Sequence, residues 1–169
     1  MPRSTQAGSG LRGVRPDRND GAMSVNGSVS ASTALQLPIN LHGIQLGRPV
    51  DLLLDADSWS VLGFVVRCGD ESQRFLPLAA AQLTHEEIAV GSALMLLEDV
   101  GFYAARGTSF RSLLGGEVQH SGRVQGRLRD LVLERGEVAE LDLQRGPEGT
   151  VVRVPATGAV VVPSRATAA

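Results

Sequence analysis

The sequence predicts a mainly all-β protein: two tandem small β-barrels joined by a short connecting helix, behind a disordered N-terminal tail. Three observations predict it. From residue 41 onward, short apolar runs are broken by Gly, Pro and Asp about every 8 to 12 residues, the spacing of strands in a small barrel or sandwich. Two stretches of this pattern echo each other along the chain. Residues 1–40, by contrast, are rich in Gly, Ser, Asn and Arg and show no hydrophobic period, so they bury too little apolar surface to offset chain entropy. The expected organisation is a disordered tail over 1–40, a first barrel over 41–98, a connecting helix over 99–107, a second barrel over 108–163 and a disordered C-terminus over 164–169.

The tail carries early arginines but neither an amphipathic face for a transit peptide nor an apolar stretch for a secretory signal. Translation from Met1 and from Met23 both fit it. Strands are expected over 50–54, 61–68, 74–78 and 93–97 in the first unit, and over 124–134, 138–143, 150–154 and 159–162 in the second. Over 138–143, Ala139, Leu141 and Leu143 share one face and Val138, Glu140 and Asp142 the other, the period of a half-buried strand. Two short helices are expected, one over the Ala-rich residues 78–83 and one over 99–106, which follows the acidic pair Glu98 and Asp99 and stops at Gly107. Phe102 and Tyr103 on the second helix are expected to join the two units.

The repeat rests on two pairs of motifs. LGRPV at 46–50 returns as LGGEV at 114–118, and DLLLD at 51–55 returns as DLVLE at 130–134. The second pair is set further apart than the first, so on that alignment the second unit carries an extra segment, QHSGRVQGRLR, between its motifs. An apolar strand follows each second motif (VLGFVV, VAELDL), and each unit closes on an Arg-to-Pro end, RFLP at 74–77 and RVP at 153–155. This succession of L-G-x-x-V, D-x-x-L-[DE], apolar strand and R-x-x-P or R-x-P resembles the PRC-barrel family, named for the barrel of the photosynthetic reaction centre H subunit. The second unit is the closer match, with the Gly-to-Gly entry and turn Gly136 of SGRVQGRLRDLVLERGEVAEL. The first lacks the hairpin before DLLLD and has DADSWS where a glycine turn is usual. The resemblance implies an interaction module, since such barrels serve in the reaction-centre subunit and in ribosome maturation factors that bind a ribosomal protein.

Composition narrows the class. The formal charge of -2 averages a tail of net +2 over residues 1–20 and a body of net -4, which does not read as a nucleic-acid binder. Within the body, residues 41–107 hold four arginines against nine acids, and residues 108–169 hold eight against seven. All 16 basic residues are arginine and only six residues are aromatic, so the bases of a nucleic acid would find little to stack on. No apolar run approaches the roughly 20 residues of a membrane span. The single cysteine, Cys68, forms no internal disulfide, and a cytoplasmic location is expected.

Motifs for chemistry are weak. GSGLRG at 8–13 has the letters of a dinucleotide fingerprint but not the strand before it and the helix after it that would present a helix N-terminus to pyrophosphate. His42, His85 and His120 stand far apart in the chain with no Cys or His at ligand spacing, and His85 beside Glu86 and Glu87 reads as a solvated loop, so no metal and no cofactor is expected. Ser121 beside His120 lacks a nucleophile elbow. Cys68 reads as an inert thiol, and Asp51 and Asp130 as structural.

One constellation stands out. An extended strand over 122–130 places Arg123, Gln125, Arg127 and Arg129 on one face, a basic stripe able to meet carboxylates or phosphates. The competing reading is a solvated face neutralised by Glu134, Glu137 and Glu140. Trp59, in a turn of Asp and Ser, is read as a lid over a barrel end or as a partner anchor. Arg123, Arg127, Arg129 and Trp59 are therefore the candidate partner-binding residues, and none is catalytic. The expected function is a non-enzymatic protein-binding or scaffolding module, with homo-oligomer formation as an option. The alternatives are a ribosome-assembly factor and a small ligand-binding barrel or hydrolase, the last requiring a polar pocket of about 300 Å³ or more.

Overall fold

A computed structural model describes residues 27–164. Its elements run β1 (Val29–Ser30), α1 (Ala31–Ala34), β2 (Ile39–Leu41), β3 (Ile44–Asp55), β4 (Ser60–Cys68), β5 (Gln73–Pro77), a 3-10 turn at Leu78–Ala80, β6 (Ala81–Leu83) and β7 (Ile88–Val90). A second 3-10 turn at Ala93–Met95 leads to α2 (Val100–Ala104), β8 (Thr108–Ser109), α3 (Phe110–Leu113), β9 (Glu117–His120), β10 (Arg123–Glu134), β11 (Glu137–Arg145), β12 (Thr150–Pro155) and β13 (Ala159–Val162). The expected mainly β class holds. The strands form one open sheet in the order β13-β9-β10-β11-β4-β3-β2-β7-β6, with β1, β5, β8 and β12 attached at its sides.

Three expectations need correction. The disordered tail expected over 1–40 does not extend over 27–40, which hold β1, α1 and part of β2, with Ala31, Ala34, Leu35, Leu37 and Ile39 buried in the core. A four-residue helix between such short strands is too brief to show a period. Residues 1–26, with GSGLRG and Met23, and residues 165–169 lie outside the described residues. Residues 78–83 are a 3-10 turn and a strand instead of a helix, and 93–97 are no strand. There the Ser92 hydroxyl accepts from the Leu94 amide and turns the chain, leaving Leu94 85% exposed.

The two halves share turn and bulge positions beyond the motifs. His42–Gly43 and Ser121–Gly122, spaced as Asp51 is from Asp130, both have positive φ at the two central positions of a two-residue hairpin, the type I′ geometry that matches strand twist. Bulges fall between Pro49 and Asp51 on β3 and between Leu128 and Asp130 on β10, again at that same offset. LGRPV therefore corresponds to QGRLR at 125–129, not to LGGEV, and the extra segment between the motifs disappears. The hairpin missing from the first half on the motif alignment is β2–β3. The halves differ at the next turn, where Asp55 Oδ1 accepts from the amides of Asp57 and Ser58 in a loop longer than Arg135–Gly136.

The halves exchange their leading segments. β1 pairs with β10 (Val29↔Leu133, Ser30↔Val132), and β8 pairs with β3 (Leu53↔Ser109, Leu54↔Thr108). Each short helix that follows is capped twice. Ser30 Oγ accepts from the Thr33 amide at 3.1 Å and Ser109 Oγ from the Ser112 amide at 3.2 Å. From the opposite half, Asp130 Oδ1 accepts from the Ser32 amide at 3.1 Å and Asp51 Oδ1 from the Arg111 amide at 3.2 Å. A third seam joins β4 to β11, with Val61 N–H donating to Gly136 O at 2.9 Å and Val138 N–H to Trp59 O at 2.8 Å. One continuous core results, running from Leu52, Phe64 and Leu76 to Leu131, Leu141 and Leu143.

Helix α2 does not join the halves, as expected of it. Tyr103 stacks on Phe75 of β5 with ring centroids 4.0 Å apart, and with Val100 it covers Leu53 and Val65 on the outer side of the first half. The exchanged segments and the β4–β11 seam carry the contact between halves instead.

Candidate partner-binding faces

Strand β10 positions the three candidate arginines, and its bulges separate them. Against β9 the pairs are Arg123↔His120, Val124↔Gln119, Gly126↔Val118 and Arg127↔Glu117, with Gln125 bulged out. Because neighbours on β9 alternate in face, Val124 and Arg127 share the outer side while Arg123 lies on the other. The unbroken stripe expected from strict alternation is therefore not formed. Arg129 sits at the second bulge, next to Asp130. Arg127 Nη1 donates to Gly115 O at 3.2 Å. The carboxylates expected to neutralise the stripe are placed elsewhere: Glu134 lies near Arg135, and Glu140 with Asp142 faces Arg153, which binds Asp142 through two bonds of 2.7 and 3.0 Å.

Pairing aligns a row across the outer face of the second half: Val162, Glu117, Arg127, Gln144 and Val151 on β13, β9, β10, β11 and β12. Val160, Gln119 and Val124 form the next row. Val160 is 61% and Val124 59% exposed, and Val151 and Val162 are also open to solvent. An open groove of about 720 Å³ lies over this face, lined by Glu117, Gln125, Arg127, Gln144 and Arg145 among others. Arg145 is held there by bonds to the backbone and side-chain oxygens of Gln125.

No protein-family model matches the chain, and no curated protein matches it in sequence. Its own two halves supply the useful comparison. In the first half the corresponding row is Arg48, Arg67 and Gln73 on β3, β4 and β5, beneath a groove of about 420 Å³ lined by Gln45, Leu46, Gly47, Arg48, Arg67, Cys68 and Gly69. One step along, Asp51, Val65 and Phe75 stand where the second half has Asp130, Asp142 and Arg153. The apolar pair lies beneath α2, and its uncovered counterpart is an ion pair.

Trp59 is 6% exposed and belongs to the core. It stands at φ 59° at the end of the longer turn, and its Nε1 donates to Ala159 O of the opposite half at 3.2 Å. Such a ring covers the junction between the halves and offers little surface to a partner, which does not suit the anchor reading. His42 and His85 are exposed, and His120 packs beside Gly158. Among the described residues no three His, Cys, Asp or Glu side chains gather as a metal site. Cys68 is partly buried, and burial pushes its thiol pKa up, with Arg74 opposing and Asp70 adding to the rise. Motif and period alone do not single out Arg48, Arg67, Arg145 or the outer valines. The signal that finds one of them is the offset from DLLLD to DLVLE, which carried back along the chain matches Arg127 with Arg48.

Proposed function

We propose that the chain is built from two copies of one PRC-barrel-like β unit and acts as a non-enzymatic, cytoplasmic protein-binding or scaffolding module. The observation that carries this reading is the uncovered outer face of the second half, where Val124, Val151, Val160 and Val162 surround Arg127. Apolar side chains grouped about an arginine on rigid strands have the chemistry of an interface centre. On the first half α2 covers Leu53, Val65 and Phe75, one step along the sheet from the row of Arg48 and Arg67.

Affinity capture from the native cell, with wild type and a Val160→Glu/Val162→Glu variant of unchanged circular dichroism, tests it. Loss of a specific partner from the variant is expected, and retention of the same set by both baits overturns the assignment. A ribosome-assembly role draws support from the acidic first half, nine acids against four arginines over residues 41–107. It predicts salt-sensitive co-sedimentation with the small ribosomal subunit, and absence from that fraction at low salt removes it. A small-ligand site has the groove over Arg127 in its favour.

A further inference from the structure

We infer that the groove over Arg48 and Arg67 is a carboxylate-binding site for an acidic segment of a protein partner. The inference deepens the protein-binding reading above by naming the chemistry of the partner.

Arg48 and Arg67 are directly opposite on β3 and β4, and the register turns both outward, because the next pair, Pro49↔Val66, is buried. Like charges directly opposite in an antiparallel pair destabilise the sheet. Among the other strand arginines of the described residues, Arg74 lies 3.6 Å from Asp70 and Arg153 lies 2.7 Å from Asp142, while Arg127 donates to Gly115 O and Arg145 to Gln125 oxygens. Neither the Arg48 nor the Arg67 guanidinium has a hydrogen-bond or ion-pair partner among the described residues, although the two backbones pair in the β3–β4 ladder. Two guanidinium forks side by side can supply the parallel N–H pairs that a carboxylate accepts.

The feature occurs twice. Arg127 corresponds to Arg48 at the repeat offset, and Arg145 enters the second groove from β11, which corresponds to β4. A bulge-side glycine lines each groove, Gly47 and Gly126, and in each the facing strand comes close. A Cβ on Gly47 would lie 2.4 Å from Arg67 O, and one on Gly126 would lie 2.7 Å from Gln144 O. The two differ in charge. Arg127 pairs across the sheet with Glu117, whereas the position matching Glu117 in the first half is Pro38, so only the first groove has two positive charges and no acid in its lining.

The surroundings select the kind of anion. Residues 41–107 carry nine acids against four arginines, which repels an extended polyanion while leaving room for one carboxylate. No aromatic ring lines the groove to stack a base, and Leu46 and Cys68 offer apolar contact to a neighbouring side chain.

The test is fluorescence anisotropy of the full chain with a labelled hexapeptide of alternating Glu and Val, beside the same peptide with Gln for Glu. Saturable binding of the Glu peptide is expected, weakened about tenfold or more by Arg48→Gln/Arg67→Gln, and weakened less by Arg127→Gln/Arg145→Gln. Both variants are compared with wild type by circular dichroism. Equal affinity for the two peptides overturns the inference, as does an unchanged Kd in the Arg48→Gln/Arg67→Gln variant. So does displacement of the peptide by single-stranded DNA or inorganic phosphate at equal concentration. If the peptide fails while Val160→Glu/Val162→Glu still loses its captured partner, this inference falls and the protein-binding reading stands.

Discussion

Trp59 links the two halves through one side chain. Its ring is buried, its Nε1 reaches Ala159 O at 3.2 Å, and its own carbonyl accepts from Val138. Removing it should leave a large cavity at the junction, and Trp59→Ala is expected to cost about 3–5 kcal/mol. Trp59→Phe should cost less, because it keeps most of the ring and loses the donor. As the chain's single tryptophan, Trp59 should emit at short wavelength when folded and shift to the red on unfolding of the wild type, whereas its variants, which lack that fluorophore, are compared with wild type by circular dichroism. A Tm of Trp59→Ala equal to that of wild type would remove the ring from the account. Cys68 allows a pH prediction. Burial disfavours the thiolate and places the pKa above its ordinary 9.0, so less thiolate is present at any pH below that point. The rate of iodoacetamide alkylation against pH should therefore have its midpoint above that of a cysteine peptide measured alongside. A lower midpoint would mean that the Arg74 charge outweighs burial.

At the scale of the element, the bulges decide where the arginines go. Gly126 is at φ 153°, a conformation L side chains rarely adopt, and its missing Cβ lets Gln144 O approach. Gly126→Ala and Gly47→Ala should each destabilise the fold by about 1–3 kcal/mol, read as a lower denaturation midpoint. A midpoint unchanged by either would show that the strands separate there without cost. These bulges also explain what the sequence concealed. The turn at Arg135–Gly136 and the shared face of Leu141 and Leu143 were legible, since period and turn chemistry are local. A bulge at Ala139, however, puts Val138, expected on the opposite face, into the core with them. The side chosen by Arg123 relative to Arg127 was not, because one extra residue at Gln125 reverses the parity and no residue type marks it. Matching LGRPV to LGGEV fails for a related reason. A pentapeptide with shared apolar letters outweighs the hairpins His42–Gly43 and Ser121–Gly122, whose likeness is in φ and not in side chains. The strand expected over 93–97 is a composition effect, as Leu94 and Met95 are apolar but face solvent.

At the scale of the whole molecule, the exchanged segments make each half a condition for the other. A unit of about 60 residues has little apolar surface to bury by itself. Here β1 and α1 complete the second half, β8 and α3 complete the first, and the β4–β11 seam lies between them. The buried residues accordingly form one cluster that includes Leu52 and Phe64 as well as Leu131 and Leu141, with a small satellite under α2. Two independent barrels would unfold separately, whereas a shared core should unfold once. Urea denaturation is therefore expected to show one transition, with coincident midpoints by Trp59 fluorescence and by far-ultraviolet circular dichroism. The caps provide the second arm. Asp51 holds α3 from the first half and Asp130 holds α1 from the second, so Asp51→Ala and Asp130→Ala each remove an acceptor that crosses between halves. Each should lower the common midpoint by an amount equivalent to about 1 kcal/mol, without splitting the transition. Two resolved transitions in wild type, or a variant in which only one probe moves, would show that the halves fold independently despite the exchange.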